Sequence, residues 1–418
     1  MIPLAPARLH IWKIYATLLF PVLWISSVPA SAAEPRDERL WERAMKLHRS
    51  AIVIDGHNDI TSPMLDENYD LGVSSAGKFH TDLARLKEGG VTAQFFAIFV
   101  DNEFVTNHAG ARRALEMIDV LRRTVELHSD KLVFATSVAD IRQAKKRGRI
   151  AALMGVENGA AIENSLGTLR AFHQLGVRYM TLTHILPNDW ADSSTSPARH
   201  NGLTEFGRSV VREMSRLGMM VDVSHVSDKT MSAVLDVTSA PIIASHSSAR
   251  ALASHPRNIP DELLRRIAAN GGIVMVNFFT GYIDPRTQSA LDTLQPKVDA
   301  LREQFKSDSK QFHAQRARLY ETELPRTPLS ILIDHIEHII RIAGVDHVGL
   351  GSDFDGISTV PEGLEDVSRF PNITYELLKR GHSEADVRKI LGENFLRVFA
   401  EVQRRASSID RNAAAQSR

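Results

Sequence analysis

Eight continuous apolar runs, separated by amphipathic stretches, recur along this chain, and few folds can absorb that alternation. The runs are Ala51–Asp55, Ala93–Val100, Ala151–Val156, Tyr179–Thr183, Met220–Ser224, Ile242–Ser245, Ile273–Asn277 and Val348–Gly351. Between them lie helical patterns such as Ala109–Leu127, Leu166–Leu175, Thr204–Leu217, Asp228–Val237, Pro260–Ala269 and Leu329–Ala343. Unbroken apolar runs suit parallel strands buried on both faces, and the stretches between them supply the crossover helices. Eight such units predict an α/β fold, a closed (β/α)8 TIM-type barrel, whose chemistry gathers at the C-terminal strand ends. After the seventh run, residues 284–326 are charged and helix-prone, with Leu291, Leu294, Val298, Leu301 and Phe305 at helical spacing. A helical insertion is expected there. A surface excursion is the plainer reading, a lid or subunit contact the alternative.

The residues that end these runs are the next signal. His57 and Asp59 follow the first run, whose strand is expected to end at Gly56. Two residues at i and i+2 project to one side of an extended backbone, so an imidazole and a carboxylate can converge there. A nitrogen and an oxygen ligand together suit a borderline metal such as zinc. Later runs end in Glu157, His184, His225, His246 and Asp353. Taken singly, each is more often a hydrogen-bonded structural residue. In a barrel, however, all seven groups encircle one mouth, and buried ionisable groups are unfavourable unless paired or coordinated. A metal site explains the set better than seven coincidences do. His80, His108, His128, His173, His200, His313, His335, His338, His347 and His382 fall in helices or linkers and fail this positional test.

These residues stand in segments that resemble a known family. They are Val53-Ile54-Asp55-Gly56-His57-Asn58-Asp59, Gly155-Val156-Glu157-Asn158-Gly159, Thr181-Leu182-Thr183-His184 and Asp222-Val223-Ser224-His225-Val226-Ser227. Ser245-His246-Ser247-Ser248-Ala249, Arg257-Asn258 and Gly351-Ser352-Asp353-Phe354-Asp355-Gly356 complete the set. Together, from about residue 45 to about residue 402, they resemble the membrane (renal-type) dipeptidase family, binuclear zinc peptidases of the amidohydrolase-like barrels. The resemblance implies two Zn2+ per chain, with His57 and Asp59 on one, His225 and His246 on the other, and Glu157 bridging both. It also implies that His184 and Arg257 hold substrate and that Asp353 binds substrate and moves the proton. The substrates implied are dipeptides, including those with a D-residue at the carboxyl side, and the assembly implied is a homodimer.

The chemistry asks for such a set. Two divalent ions roughly 3.5–4 Å apart need a bridging carboxylate, and a hydroxide shared by both is a nucleophile near neutral pH. With no cysteine in the chain, a thiol mechanism is excluded. The departing amine must be protonated, which needs a carboxylate acting as a proton shuttle. Asp353 is favoured; Asp355, in the same loop, is its rival. His184 can donate to the oxyanion. Arg257 has the planar fork that suits a substrate carboxylate, although an arginine beside a proline reads equally as a solvated loop residue.

Two rival readings remain open on sequence. Another amidohydrolase-type hydrolase is one: a deaminase or lactonase would usually carry His-x-His after the first strand, where this chain has Asp59, and β-lactam hydrolysis stays open as an alternative or side activity. A non-catalytic binding protein on the same barrel would have lost Glu157 or Asp353, and both are present.

Lys plus Arg and Asp plus Glu are equal at 50 each, so charge gives no reason to expect nucleic acid. Arg8, His10 and Lys13 precede an apolar run from Ile14 to Val28, followed by Ala30-Ser31-Ala32. Those are the parts of a secretory signal over residues 1–32, with the barrel domain spanning 33–405 and a polar, unstructured tail over 406–418. An uncleaved anchor is the alternative, but Pro21 and Ser26-Ser27 interrupt the run. The absence of cysteine excludes a lipidated signal junction, and the polar carboxyl end lacks a glycolipid-anchor signal, unlike the lipid-anchored animal members of the family. An exported enzyme, periplasmic or secreted, without a stable membrane anchor is therefore expected. Its amino terminus should be Ala33; intact mass of exported protein that still carries residues 1–32 would refute this.

Overall fold

A computed structural model describes residues 36–416; the expected signal segment lies outside the described residues. Among the described residues there are nine parallel strands: β1 (Ile54–Asn58), β2 (Ala93–Phe99), β3 (Leu132–Phe134), β4 (Ile150–Glu157), β5 (Val177–Thr181), β6 (Met220–Asp222), β7 (Ile243–Ala244), β8 (Ile273–Val276) and β9 (Val348–Leu350). β1 pairs with both β2 and β9, and β2 pairs with β4 from Ala93↔Ala151 to Phe99↔Glu157. From β4 each strand then pairs with the next through β9, which closes an eight-stranded barrel. Each of the eight apolar runs holds one barrel strand.

The additional strand is β3, which pairs only with the start of β4, Leu132↔Ile150 to Phe134↔Ala152. It lies on the flank that β5 takes up further along, where Gly155↔Tyr179 begins a continuous register. Strand limits also differ from expectation. β1 runs through Gly56 to Asn58, so His57 is part of the strand rather than of the loop beyond it.

Alternation along the strands sorts the core into two layers. Ala151 and Leu153 of β4 pack with Ile54, Phe95, Tyr179, Met220, Ile273 and Met275 in one cluster, the barrel interior. Ala152, Met154 and Val156 face the surrounding helices in the other. At Gly155 the interior space is filled by the Tyr179 ring, which a Cβ would overlap. The last helix, Asn394–Gln416, contributes Phe395, Phe399 and Val402 to the interior cluster, with Phe395 5.2 Å from Phe95. Its Arg397 donates to the carbonyls of Gly271 and Asp346, each two residues before the start of β8 and β9. This helix therefore closes the N-terminal end of the barrel. It also continues past Arg405, so residues 406–416, expected to lack structure, are helical.

Helices begin and end as local chemistry dictates. Ser137, Ser165, Thr204 and Ser227 cap the helices that follow them by accepting from a backbone N–H three residues on. Gly218 and Gly271, at φ +77° and +82°, end two others in the left-handed conformation. The insertion after β8 forms two helices, Pro285–Gln304 and Ser309–Glu323, with Leu294, Val298 and Phe312 buried. No helix among the described residues is long and apolar enough to cross a membrane. With one end plugged by a helix, the barrel leaves its C-terminal mouth for chemistry.

Candidate metal centre

Five strand ends converge at that mouth, and Glu157 lies at the middle. Its Oε2 is 3.2 Å from His57 Nε2, and its Oε1 is 3.0 Å from His225 Nε2 and 3.6 Å from His246 Nε2. On the first side, Asp59 Oδ2 is 3.3 Å from His57 Nε2. On the other, the Nε2 atoms of His225 and His246 are 2.9 Å apart. Three groupings could each hold a cation: His57 with Asp59 and Glu157, Glu157 with His225 and His246, and His57 with His246 and Asp353. All six residues are buried.

The donor set fits divalent metal. Tyr179 donates its hydroxyl proton to Gly56 O at 3.1 Å and so accepts from His57 Nδ1 at 2.8 Å. That assigns the Nδ1–H tautomer to His57 and leaves a bare Nε2 lone pair, which is buried and has no hydrogen-bond partner. Ser245 acts likewise on His246. Its hydroxyl donates to Asp222 Oδ2 at 2.6 Å and accepts from His246 Nδ1 at 2.7 Å, turning Nε2 inward. Buried lone pairs facing one another are unfavourable unless a proton or a metal ion lies between them, and this set suits a metal.

Burial opposes the charged form of His57, but Tyr179 and the carboxylates of Glu157 and Asp59 raise it well above the ordinary imidazole value. Burial, then the charges of Arg257 and neighbouring histidines, hold His225 and His246 well below the ordinary imidazole value, so both are neutral, as ligands must be. Burial would raise Glu157, but His57 and a hydrogen bond from His225 keep its carboxyl well below the usual range. Asp353 differs: burial, then the negative charge of Asp59, pushes it up to about 8. Bound cations would favour its ionised form and pull it back down toward the ordinary carboxylate range.

The remaining sequence candidates are at the same mouth. His184 Nε2 is 4.0 Å from Glu157 Oε1, and its ring lies 4.6 Å from that of His225 and edge-on to Phe99. Arg257 is buried, with Nη1 3.3 Å from Ser247 Oγ and Nη2 donating to His246 O at 3.1 Å. Asp355 turns away: its Oδ1 accepts from His80 N at 2.7 Å, and its own N–H donates to His80 Nδ1 at 3.0 Å. His80, which the positional test set aside, thus holds the loop that carries Asp353. His335 and His338 are structural, bonded to Ala249 N and Ile283 O, and to Asp261. Backbone strain concentrates in this loop and nearby, with φ of +61° at Asp353, +68° at Asp355 and +67° at His225. At Gly356 a Cβ would run into the Asp59 carboxylate, so the close approach needs glycine.

Several supporting residues were not anticipated. Asp55 Oδ1 accepts from the backbone N–H of Ser352 at 2.7 Å, and its Oδ2 accepts from Ser352 Oγ and Gln94. Asp222 holds Ser245 in the same way, accepting from its N–H and its hydroxyl. Each aspartate ties the strand carrying one site residue to the strand carrying another. Tyr282 lies beneath Arg257, with the guanidinium 5.3 Å from its ring centre. Both aspartates were visible as carboxylates inside otherwise apolar runs.

Barrel and mouth together define a metal-dependent hydrolase. The family model for membrane dipeptidase (peptidase family M19) matches residues 41–413, and the chain belongs to that family. Solved structures agree. A probable dipeptidase, PvdM from Pseudomonas aeruginosa, is 30% identical over 88% of this chain and 100% of its own, with a TM-score of 0.76. Dipeptidase AC, a metallopeptidase, is 28% identical over 84% of this chain and 99% of its own, with a TM-score of 0.71. A metallopeptidase from Rhodobacter sphaeroides, liganded with a phosphinate mimic of the dipeptide L-Ala-D-Ala, is 27% identical over 84% of this chain and 100% of its own, at 0.70. The protein is a dipeptidase-like metallopeptidase.

If Tyr179 fixes the tautomer of His57, Tyr179→Phe should weaken metal binding by about 10- to 100-fold while the fold is kept. Chelator competition followed by circular dichroism checks both; unchanged metal affinity would contradict the assignment.

Proposed function

We propose that this enzyme hydrolyses the single peptide bond of dipeptides, including those with a D-residue at the carboxyl side, using two zinc ions. The observation that carries the proposal is the division of the Glu157 carboxylate, one oxygen toward His57 and the other toward His225 and His246. Such an arrangement suits a carboxylate shared by two ions, one held with His57 and Asp59, the other with His225 and His246. Nitrogen and oxygen ligands without sulfur are consistent with zinc. Zinc at these positions would polarise the scissile carbonyl and lower the pKa of the attacking water.

The chain's own residues would do the rest. His184, whose pKa burial lowers, is neutral and can donate Nε2–H to the carbonyl oxygen as it becomes an oxyanion. Asp353 takes the proton from the attacking water and delivers it to the departing amine nitrogen. Arg257, with Nε buried and unpartnered, would receive the substrate carboxylate. The ligand of the Rhodobacter sphaeroides relative, a mimic of L-Ala-D-Ala, supports tolerance of a D-residue beside that carboxylate. The reading includes export with Ala33 as the amino terminus, resting on the charged, apolar and small-residue segments that precede it.

A site that binds the free carboxylate next to the scissile bond measures substrate length, because one more residue moves the charge away. Arg257→Ala should lower kcat/KM on free dipeptides by about 10- to 200-fold, the worth of a charge-assisted hydrogen bond. A carboxyl-amidated dipeptide should lose far less, since it never offered the charge. Equal losses on both substrates would mean that Arg257 supports the metal site or the fold instead.

A further inference from the structure

Of the eight barrel strands, β2 and β8 supply none of the seven ionisable groups; the residue that follows β8 is Asn277, fully buried at the mouth. Its amide is held from three directions. Oδ1 accepts from the Phe279 N–H at 2.6 Å. Nδ2 donates to Asp353 Oδ2 at 2.8 Å and to the His246 carbonyl at 3.3 Å. The Phe279 N–H fixes which end of the amide is oxygen, so the group facing Asp353 is a donor. Among the described residues, no other side chain donates to the Asp353 carboxylate.

We propose that Asn277 is the positioning residue for Asp353 and that it biases which carboxylate oxygen carries the proton. This rests on the reading of Asp353 as the proton shuttle. An amide N–H can only donate, so Oδ2 must remain an acceptor whether or not Asp353 is protonated. The carbonyl-type oxygen of a carboxyl is the better acceptor, so this hydrogen bond favours the mobile proton on Oδ1. That oxygen faces the Asp59 side of the mouth, since a Cβ at Gly356 would crowd both Asp353 Oδ1 and Asp59 Oδ2. The constraint has a task to perform, because Asp353 sits at φ +61° in a loop that would relax if released. The second N–H of Asn277, on the His246 carbonyl, ties the carboxylate to the strand end that carries a proposed ligand. An uncharged side chain thus references the proton-carrying carboxyl to a neighbouring strand end.

Asn277→Ala and the isosteric Asn277→Asp separate this role from simple packing. Asp replaces the donor with an acceptor while filling the same space. Both variants should lower kcat by about 10- to 100-fold, the worth of a hydrogen bond to a charged group, with KM and metal content unchanged. In an Asp353→Asn background, Asn277→Ala should produce no further loss, because the residue it acts through is already disabled. Three results would overturn the proposal: kcat retained in Asn277→Asp, a loss that appears in KM or metal content instead, or losses that multiply in the double variant. Failure of the underlying reading looks different. Asp353→Asn would then itself be mild, whereas a severe Asp353→Asn beside mild Asn277 variants would reject Asn277 alone.

Discussion

The mouth of this barrel depends on a single carboxylate placed between two sets of imidazoles. Glu157 at the end of β4 reaches His57 with one oxygen and His225 and His246 with the other. Burying a carboxylate and three imidazoles this closely is unfavourable without cations to neutralise facing lone pairs. The proposed ligand cluster and the cations it suits would therefore stabilise each other, and the surrounding structure holds five strand ends in register around that carboxylate.

That register is held by two hydroxyls and two further buried carboxylates. Tyr179 and Ser245 set the tautomers of His57 and His246, and Asp55 and Asp222 staple neighbouring strands beneath them. The Tyr179 ring can reach its position only because residue 155 is glycine. A core position on one strand therefore controls the orientation of a ligand on another. The strained loop at Asp353 is clasped from outside by His80 and from inside by Asn277. Such supporting contacts convert a ring of polar side chains into a defined geometry.

Much of this was legible from the sequence because barrel strands carry two signals at once: an apolar run, then an ionisable residue. His57, Asp59, Glu157, His184, His225, His246 and Asp353 all follow that pattern and all reach one mouth. What escaped did so for physical reasons. Asn277 is uncharged, so a search for ionisable strand ends passes over it. Tyr179 lies inside an apolar run, where a tyrosine reads as core until its hydroxyl partner is known. β3 is three residues long and pairs only with the start of β4, too short for periodicity to register. His80 follows no strand and reaches the site through its loop. The polar composition after Arg405 suggested an unstructured tail, yet a helix extends through it to Gln416.

The central claim is that two ligand sets share the Glu157 carboxylate, and metal stoichiometry tests it most directly. Elemental analysis of purified protein should find two divalent ions per chain, with dipeptide hydrolysis lost on chelation and restored when metal is returned. Glu157→Ala should deplete both positions together. Fully active enzyme that carries no metal, or a Glu157→Ala variant that retains both ions, would contradict the account.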